Sequence, residues 1–230
     1  MKNTYTRGSE WRKWDLHVHT PASVLNNGFG SNWDTYVTTL FKTLIEKEIA
    51  VVGITDYFTI DGYKKIKEEY LANDTKLKTL FSIDEIDKIK KILVIPNIEF
   101  RSDIFVGTNS VNFHIIFSDL VPIKDIEEKF LHEIDFVYQG EPQSEDRKRK
   151  LKEINLVELG AQLKKEHSEF QDSDLFIGMM NAVVDHKQVS KILFDNKDNY
   201  VTHSNHDRDL LIKKYNLSRN RFNTLHFGVN

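Results

Sequence analysis

Short apolar segments alternate with amphipathic helical stretches along most of this chain, and that alternation constrains the fold more than any single residue does. Ala50 to Thr55 is the clearest case: a nearly continuous apolar run, as expected of a strand buried on both faces of a parallel sheet. Before it, Trp14 to His19 reads as a first strand. Asp34 to Glu48 reads as a helix, with Asp34 as N-cap and Val37, Leu40, Phe41, Leu44 and Ile45 on one face. Helical segments around Gly62 to Leu71 and Ile83 to Lys91 lead to a third strand, Ile92 to Phe100, and Val111 to Phe117 reads as the fourth. A helix is expected from Ile123 to Val137, then a polar stretch, a helix from Leu151 to Phe170 and a fifth strand from Leu175 to Met180. Helix Lys187 to Phe194, strand Tyr200 to His203, helix Asp207 to Tyr215 and a last strand Thr224 to Val229 complete the pattern. The prediction is α/β: a parallel sheet with right-handed crossovers, open or closed into a barrel. In both forms ligand-binding groups gather at the carboxyl ends of the strands.

The 230 residues, 40% of them hydrophobic, suffice for one large domain over 1–230, with 1–12 as a polar extension and 139–150 as a charged surface loop. Arg147, Lys148, Arg149 and Lys150 in that loop read as a solvated face, with phosphate or nucleic-acid contact as the sharper alternative. A net charge of -3 argues against wholesale polyanion binding. The chain has no cysteine, so any metal must be held by imidazole and carboxylate. Met1 to Arg12 lacks the apolar core of a signal peptide, and no apolar run approaches the ~20 residues that span a bilayer. The expectation is a cytoplasmic protein with no membrane partner.

The strand ends carry the chemistry. In Trp14-Asp15-Leu16-His17-Val18-His19-Thr20-Pro21, alternation puts His17 and His19 on one face and Leu16 and Val18 on the other. Two imidazoles side by side at a strand end can grip one divalent ion. The second strand ends in Asp56 and Tyr57, the third in Glu99 and Arg101, and the fourth carries His114. Asp56 can equally cap the turn that follows it, and His114 taken alone reads as a core histidine. Glu99, between Ile98 and Phe100, is harder to place in solvent, and a buried carboxylate is costly unless paired or bound to a cation. Three imidazoles favour Zn, Mn or Fe over Mg, and a carboxylate between imidazoles is a usual recipe for a two-metal hydrolytic centre.

Asp15 to Thr20, Gly53 to Asp56, Ile98 to Phe100 and His114 resemble, in order and spacing, the first four motifs of the PHP (polymerase and histidinol phosphatase) family. The longer string Gly8 to Ser23 is similar to the amino-terminal domains of bacterial proteins that fuse a PHP domain to an SMC-like or AAA-like ATPase, several of them associated with phage defence. The resemblance implies a distorted (β/α)7 TIM-like barrel, incomplete at the C-terminal end of this chain, with metals at the strand ends. It implies His17 and His19 on a first ion, Glu99 bridging and His114 on a second. The sequence departs from the family in three places. Tyr57 stands where the second motif usually has a histidine, no histidine lies near Leu25, and the closing Asp-x-His motif is missing. Asp185-His186 has the wrong spacing for it; His203, with His206 and His226 behind it, is the substitute expected to ligate metal. A chain that stops before the final strand and the ATPase, or a barrel that has lost chemistry, would each explain the last departure.

The activity so implied is hydrolysis of a phosphoester by water activated at a di-metal centre, with nucleic acid or nucleotide ranked first as substrate on the strength of the family's association with defence. Asp56 would orient a ligand or accept a proton, Tyr57 would donate to the phosphate, and Arg101 would pair with it or form a surface salt bridge. The alternative is a catalytically degenerate docking or regulatory module for an ATPase partner. An amidohydrolase would need a later Lys or paired His that the sequence does not offer.

Overall fold

The computed structural model describes residues 12–26, 28–106, 109–139 and 147–196. Their elements run β1 (Lys13–Val18), α1 (Trp33–Glu46), β2 (Ile49–Tyr57), α2 (Asp61–Lys65), a π-helical continuation (Ile66–Leu71), α3 (Asp74–Leu80), α4 (Ile83–Ile89), β3 (Leu93–Val106) and β4 (Asn109–Ile116). Then follow α5 (Ile123–Lys129), a 3-10 turn (Leu131–Glu133), β5 (Asp135–Tyr138), β6 (Arg149–Lys150), α6 (Glu153–Glu166), α7 (Asp174–Asn181), β7 (Ala182–Val184) and α8 (His186–Asp195). Among the described residues, no helix is long and apolar enough to cross a membrane.

The strands make one seven-stranded mixed sheet in the order β1-β2-β3-β7-β5-β6, with β4 attached to β3. β1, β2 and β3 are parallel, as the apolar runs require. Beyond them the expectation of a parallel barrel gives way. β4 returns antiparallel along β3, β5 is antiparallel to both β6 and β7, and the described strands do not close into a barrel. β3 is long enough to explain this arrangement. β4 covers one of its edges from Asn97 to Val106, so β2 and β7 must share the other, β2 as far as Glu99 and β7 at Ser102. Apolar packing follows the same division. One core gathers α1 to α4 on β2 around Phe41, Ile54, Tyr63 and Ile66. The other gathers α5 to α8 on β3, β4, β5 and β7 around Phe100, Phe130, Phe136 and Leu163.

Local chemistry corrects several boundaries. α1 is capped by Asn32, whose side chain accepts from the Thr35 amide, and not by Asp34, which lies inside the first turn and binds Lys76 and Tyr70. The segment predicted as a fifth strand, Leu175 to Met180, is helix α7, started by a Ser173 cap on the Phe176 amide. It packs so tightly on α6 that a side-chain carbon at Gly178 would lie 1.9 Å from the Leu156 carbonyl, and one at Gly160 1.7 Å from that of Asp174. The predicted helix to Val137 ends at Lys129, and its last residues form β5. Arg149 and Lys150, expected in a loop, form β6; Arg149 donates to Gln162 at 3.0 Å and Lys150 lies 3.2 Å from Asp135. The elements predicted at 200–203, 207–215 and 224–229, with His203, His206 and His226, lie outside the described residues.

Candidate metal centre

The parallel strands β1, β2 and β3 bring their carboxyl ends together, and period-two alternation puts Thr55 and Tyr57, Asn97, Glu99 and Arg101 on one face. β1 carries one residue more than β2 between the pairs Asp15–Val52 and Val18–Ile54, a bulge that re-aims side chains at the strand's end. His17 and His19 turn there toward Glu99. His17 Nε2 lies 3.1 Å from His19 Nε2 and 3.0 Å from Glu99 Oε2, and His19 Nε2 is 3.5 Å from the same oxygen. His19 and Glu99 are buried, whereas His17 is half exposed. His114, directly opposite Glu99 on β4, packs its ring against that of His17 at 4.5 Å. Its Nδ1 is 3.3 Å from Asn97 Oδ1, so its ligand atoms fall outside the converging group.

The backbone bearing the two histidines is fastened on both sides. Ahead of His17, the Leu16 carbonyl accepts from Asn97 Nδ2 at 2.6 Å and from Thr55 Oγ1 at 3.2 Å, while Asn97 also donates to Thr55 Oγ1 at 2.9 Å. Gly53 permits this approach, since a Cβ there would stand 2.5 Å from the Leu16 oxygen. Beyond His19, Asp56 accepts from the Thr20 amide at 3.0 Å and from its hydroxyl at 2.9 Å, and Tyr36 donates to the His19 carbonyl at 2.7 Å. Asp56, predicted near the chemistry, is thus on the opposite face of β2 from Tyr57 and acts on the loop. Thr20, Tyr36, Thr55 and Asn97 were not singled out by sequence reasoning. Their partners lie 17 to 81 residues away, and no local pattern announces such bonds.

Burial sets the protonation of the site. It lowers the pKa of His19, against the raising influence of Glu99 and of a Thr55 backbone hydrogen bond, while His17 lowers it further. Burial likewise lowers that of His114, with Glu99 opposing and both other histidines assisting. Neutral imidazoles are the form that ligates metal. Burial pushes Asp56 up to about 7 although Thr20 and the Gly62 backbone stabilise its charge. Tyr57, stacked on His19 at 5.4 Å, is pushed up to about 12, by burial first and then by the charge of Glu99. Arg101 lies close enough to oppose that shift, and its buried Nε has no hydrogen-bond partner.

The three converging atoms fit a divalent ion. Ligands about 2.0–2.1 Å from a tetrahedral ion stand about 3.3 Å from one another. The measured edges are 3.0, 3.1 and 3.5 Å, two nitrogens and one oxygen. A second grouping, Asp103, Asp185 and His186, has a structural explanation. Asp185 caps α8 through the Lys187 amide, and Asp103 receives the His186 backbone and ring, tying β3 to α8.

No protein-family model matches the chain, and no curated protein matches it. Among solved structures, it is similar to a candidate metal-dependent phosphoesterase from Bifidobacterium adolescentis, at 12% identity and a TM-score of 0.30. The match covers 92% of this chain and 58% of that one. A likeness of this degree assigns no residue, and the chemistry rests on the side chains themselves.

Proposed function

We propose that this chain is a metal-dependent phosphoesterase of PHP type. The observation that carries the reading is the convergence of His17 Nε2, His19 Nε2 and Glu99 Oε2 within 3.5 Å of one another at the ends of parallel strands. A divalent ion of the Zn, Mn or Fe class held there supplies Lewis acidity to a phosphoryl oxygen and lowers the pKa of water. The protein's own groups do the rest. Arg101, two residues beyond Glu99 on the same face, offers a guanidinium to a phosphate oxygen. Tyr57, protonated at neutral pH, stacks on His19 and keeps its hydroxyl against Glu99 and Asn112 beside it. His114 is neutral, with Nδ1 held by Asn97, and can take a proton at Nε2. A nucleic acid or nucleotide is the substrate class ranked first, and an SMC-like or AAA-like ATPase the partner, both on the sequence resemblance.

A docking module without turnover is the second reading, favoured by Tyr57 where the family has histidine. Metal content and hydrolysis of an activated phosphodiester with Mn or Zn separate the two. Bound metal with turnover, both lost in His17→Ala and Glu99→Ala, is the expected result. Bound metal without turnover on any phosphoester favours the docking module, and no metal uptake at all refutes the site.

A further inference from the structure

Glu99 divides its carboxylate between two sets of neighbours. Oε2 faces the imidazoles of His17 and His19 at 3.0 and 3.5 Å. Oε1 accepts the amide of Asn112 at 2.8 Å. The same amide nitrogen reaches the Tyr57 hydroxyl at 3.2 Å, and that hydroxyl shares a hydrogen bond with the Glu99 carboxylate. Asn112 belongs to β4 opposite Arg101, two register steps from the pair Glu99–His114 and so on the same face, and the hairpin itself delivers it to this oxygen.

A carboxylate that bridges two cations gives one oxygen to each, and each cation needs further ligands around it. The far side of Glu99 offers the opposite: an amide N–H that donates to Oε1 and a phenol beside it, whose hydrogens repel a cation. His114 does not remedy this, because its ring lies against His17 and, among the described residues, the carboxylate paired across from it is Glu99 itself. Among the described residues, the atoms that converge as ligands at this end of the sheet are those of His17, His19 and Glu99 alone.

We infer that His17, His19 and Glu99 hold a single divalent ion, and that Asn112 and Tyr57 are positioning residues that commit the far oxygen of Glu99 and thereby exclude a second. The inference rests on the metal-dependent reading above and replaces the pair of ions expected from the sequence. It also gives Tyr57 a role: the residue departs from the family's histidine and works together with Asn112.

The test uses the full chain, stripped with chelator, reloaded with Mn(II) and desalted. Metal per chain is counted by mass spectrometry against Glu99→Ala as baseline, and electron paramagnetic resonance reports whether the Mn ions are isolated or magnetically coupled. One Glu99-dependent equivalent with the spectrum of an isolated ion is expected. The double variant Tyr57→His, Asn112→Asp replaces two donors with two ligands and is expected to gain a second equivalent and a coupled spectrum. Asn112→Asp alone serves if the double variant does not fold. Two Glu99-dependent equivalents in the unaltered protein overturn the single-ion inference and leave the phosphoesterase reading standing. No Glu99-dependent metal overturns both. A folded variant still holding one ion overturns the role given to Tyr57 and Asn112.

Discussion

Replacing Gly62 with alanine sets two opposed effects against each other. Gly62 lies in α2, where alanine ordinarily stabilises a helix by about 1 kcal/mol. Its new carbon, however, would stand 2.2 Å from Asp56 Oδ2, 2.2 Å from Thr20 Oγ1 and 2.6 Å from Thr20 Cγ2. Ordinary carbon contacts are about 3.5–4.0 Å. Neither neighbour can step into solvent, for Thr20 is 0% and Asp56 1% exposed. Moving either one breaks hydrogen bonds to a buried carboxylate, worth about 1.5–3 kcal/mol each, and overpacking adds about 1–3 kcal/mol. With the helix gain subtracted, the variant should lose about 3 kcal/mol. For a chain of this size that lowers the Tm by roughly 6–12 °C. Thermal unfolding followed by circular dichroism measures it, and Gly28→Ala, where an added carbon meets nothing within 4 Å, is the control. Because Thr20 directly follows His19, metal affinity should fall with stability. A Gly62→Ala protein as stable as the unaltered one would refute the steric argument.

Asp56 gives the fold a pH dependence. Its pKa is raised to about 7 in the folded state, so its protonated form stabilises the fold fully below about pH 4, and that contribution is lost as pH rises through about 7. The span amounts to roughly 4 kcal/mol. Asp56→Asn should flatten the profile, as read from urea midpoints at about pH 5 and about pH 8; equal slopes in the two proteins would sink the assignment. Tyr36→Phe removes the bond to the His19 carbonyl and should cost about 1 kcal/mol, or roughly 2–4 °C in Tm, with weaker metal retention on dialysis. An unchanged Tm and unchanged retention would show that the clamp on His19 does not matter.

Side-chain alternation was enough to place His17 beside His19, and the strand-end rule was enough to look for Glu99 and His114 near them. The first uses only the period that a strand imposes, the second the gathering of polar groups at the carboxyl ends of parallel strands. Where the sequence misled, two structures compete for the same letters. Leu175 to Met180 is a short apolar run, equally suited to a buried strand or a buried helix, and the Ser173 cap decides in favour of the helix. The antiparallel return of β4 depends on how far β3 extends past Glu99, a length that no pattern in residues 101–106 announces. The clamps on Leu16 and Thr20 join strands across the sheet, so they exist only once the fold does.

The Leu16 carbonyl takes hydrogen bonds from two side chains, Thr55 and Asn97, that also bond to each other. This makes the trio a unit of inheritance. Losing any one donor strands a buried polar partner, whereas exchanging Thr55 and Asn97 together for apolar residues of like shape leaves the Leu16 carbonyl and His114 Nδ1 to satisfy. Sequence drift at these positions should therefore be paired, with neighbours changing in concert or not at all. A lineage that abandons both at once would loosen the strand end ahead of His17, leaving His19 held from its far side alone by Tyr36 and by Asp56 through Thr20.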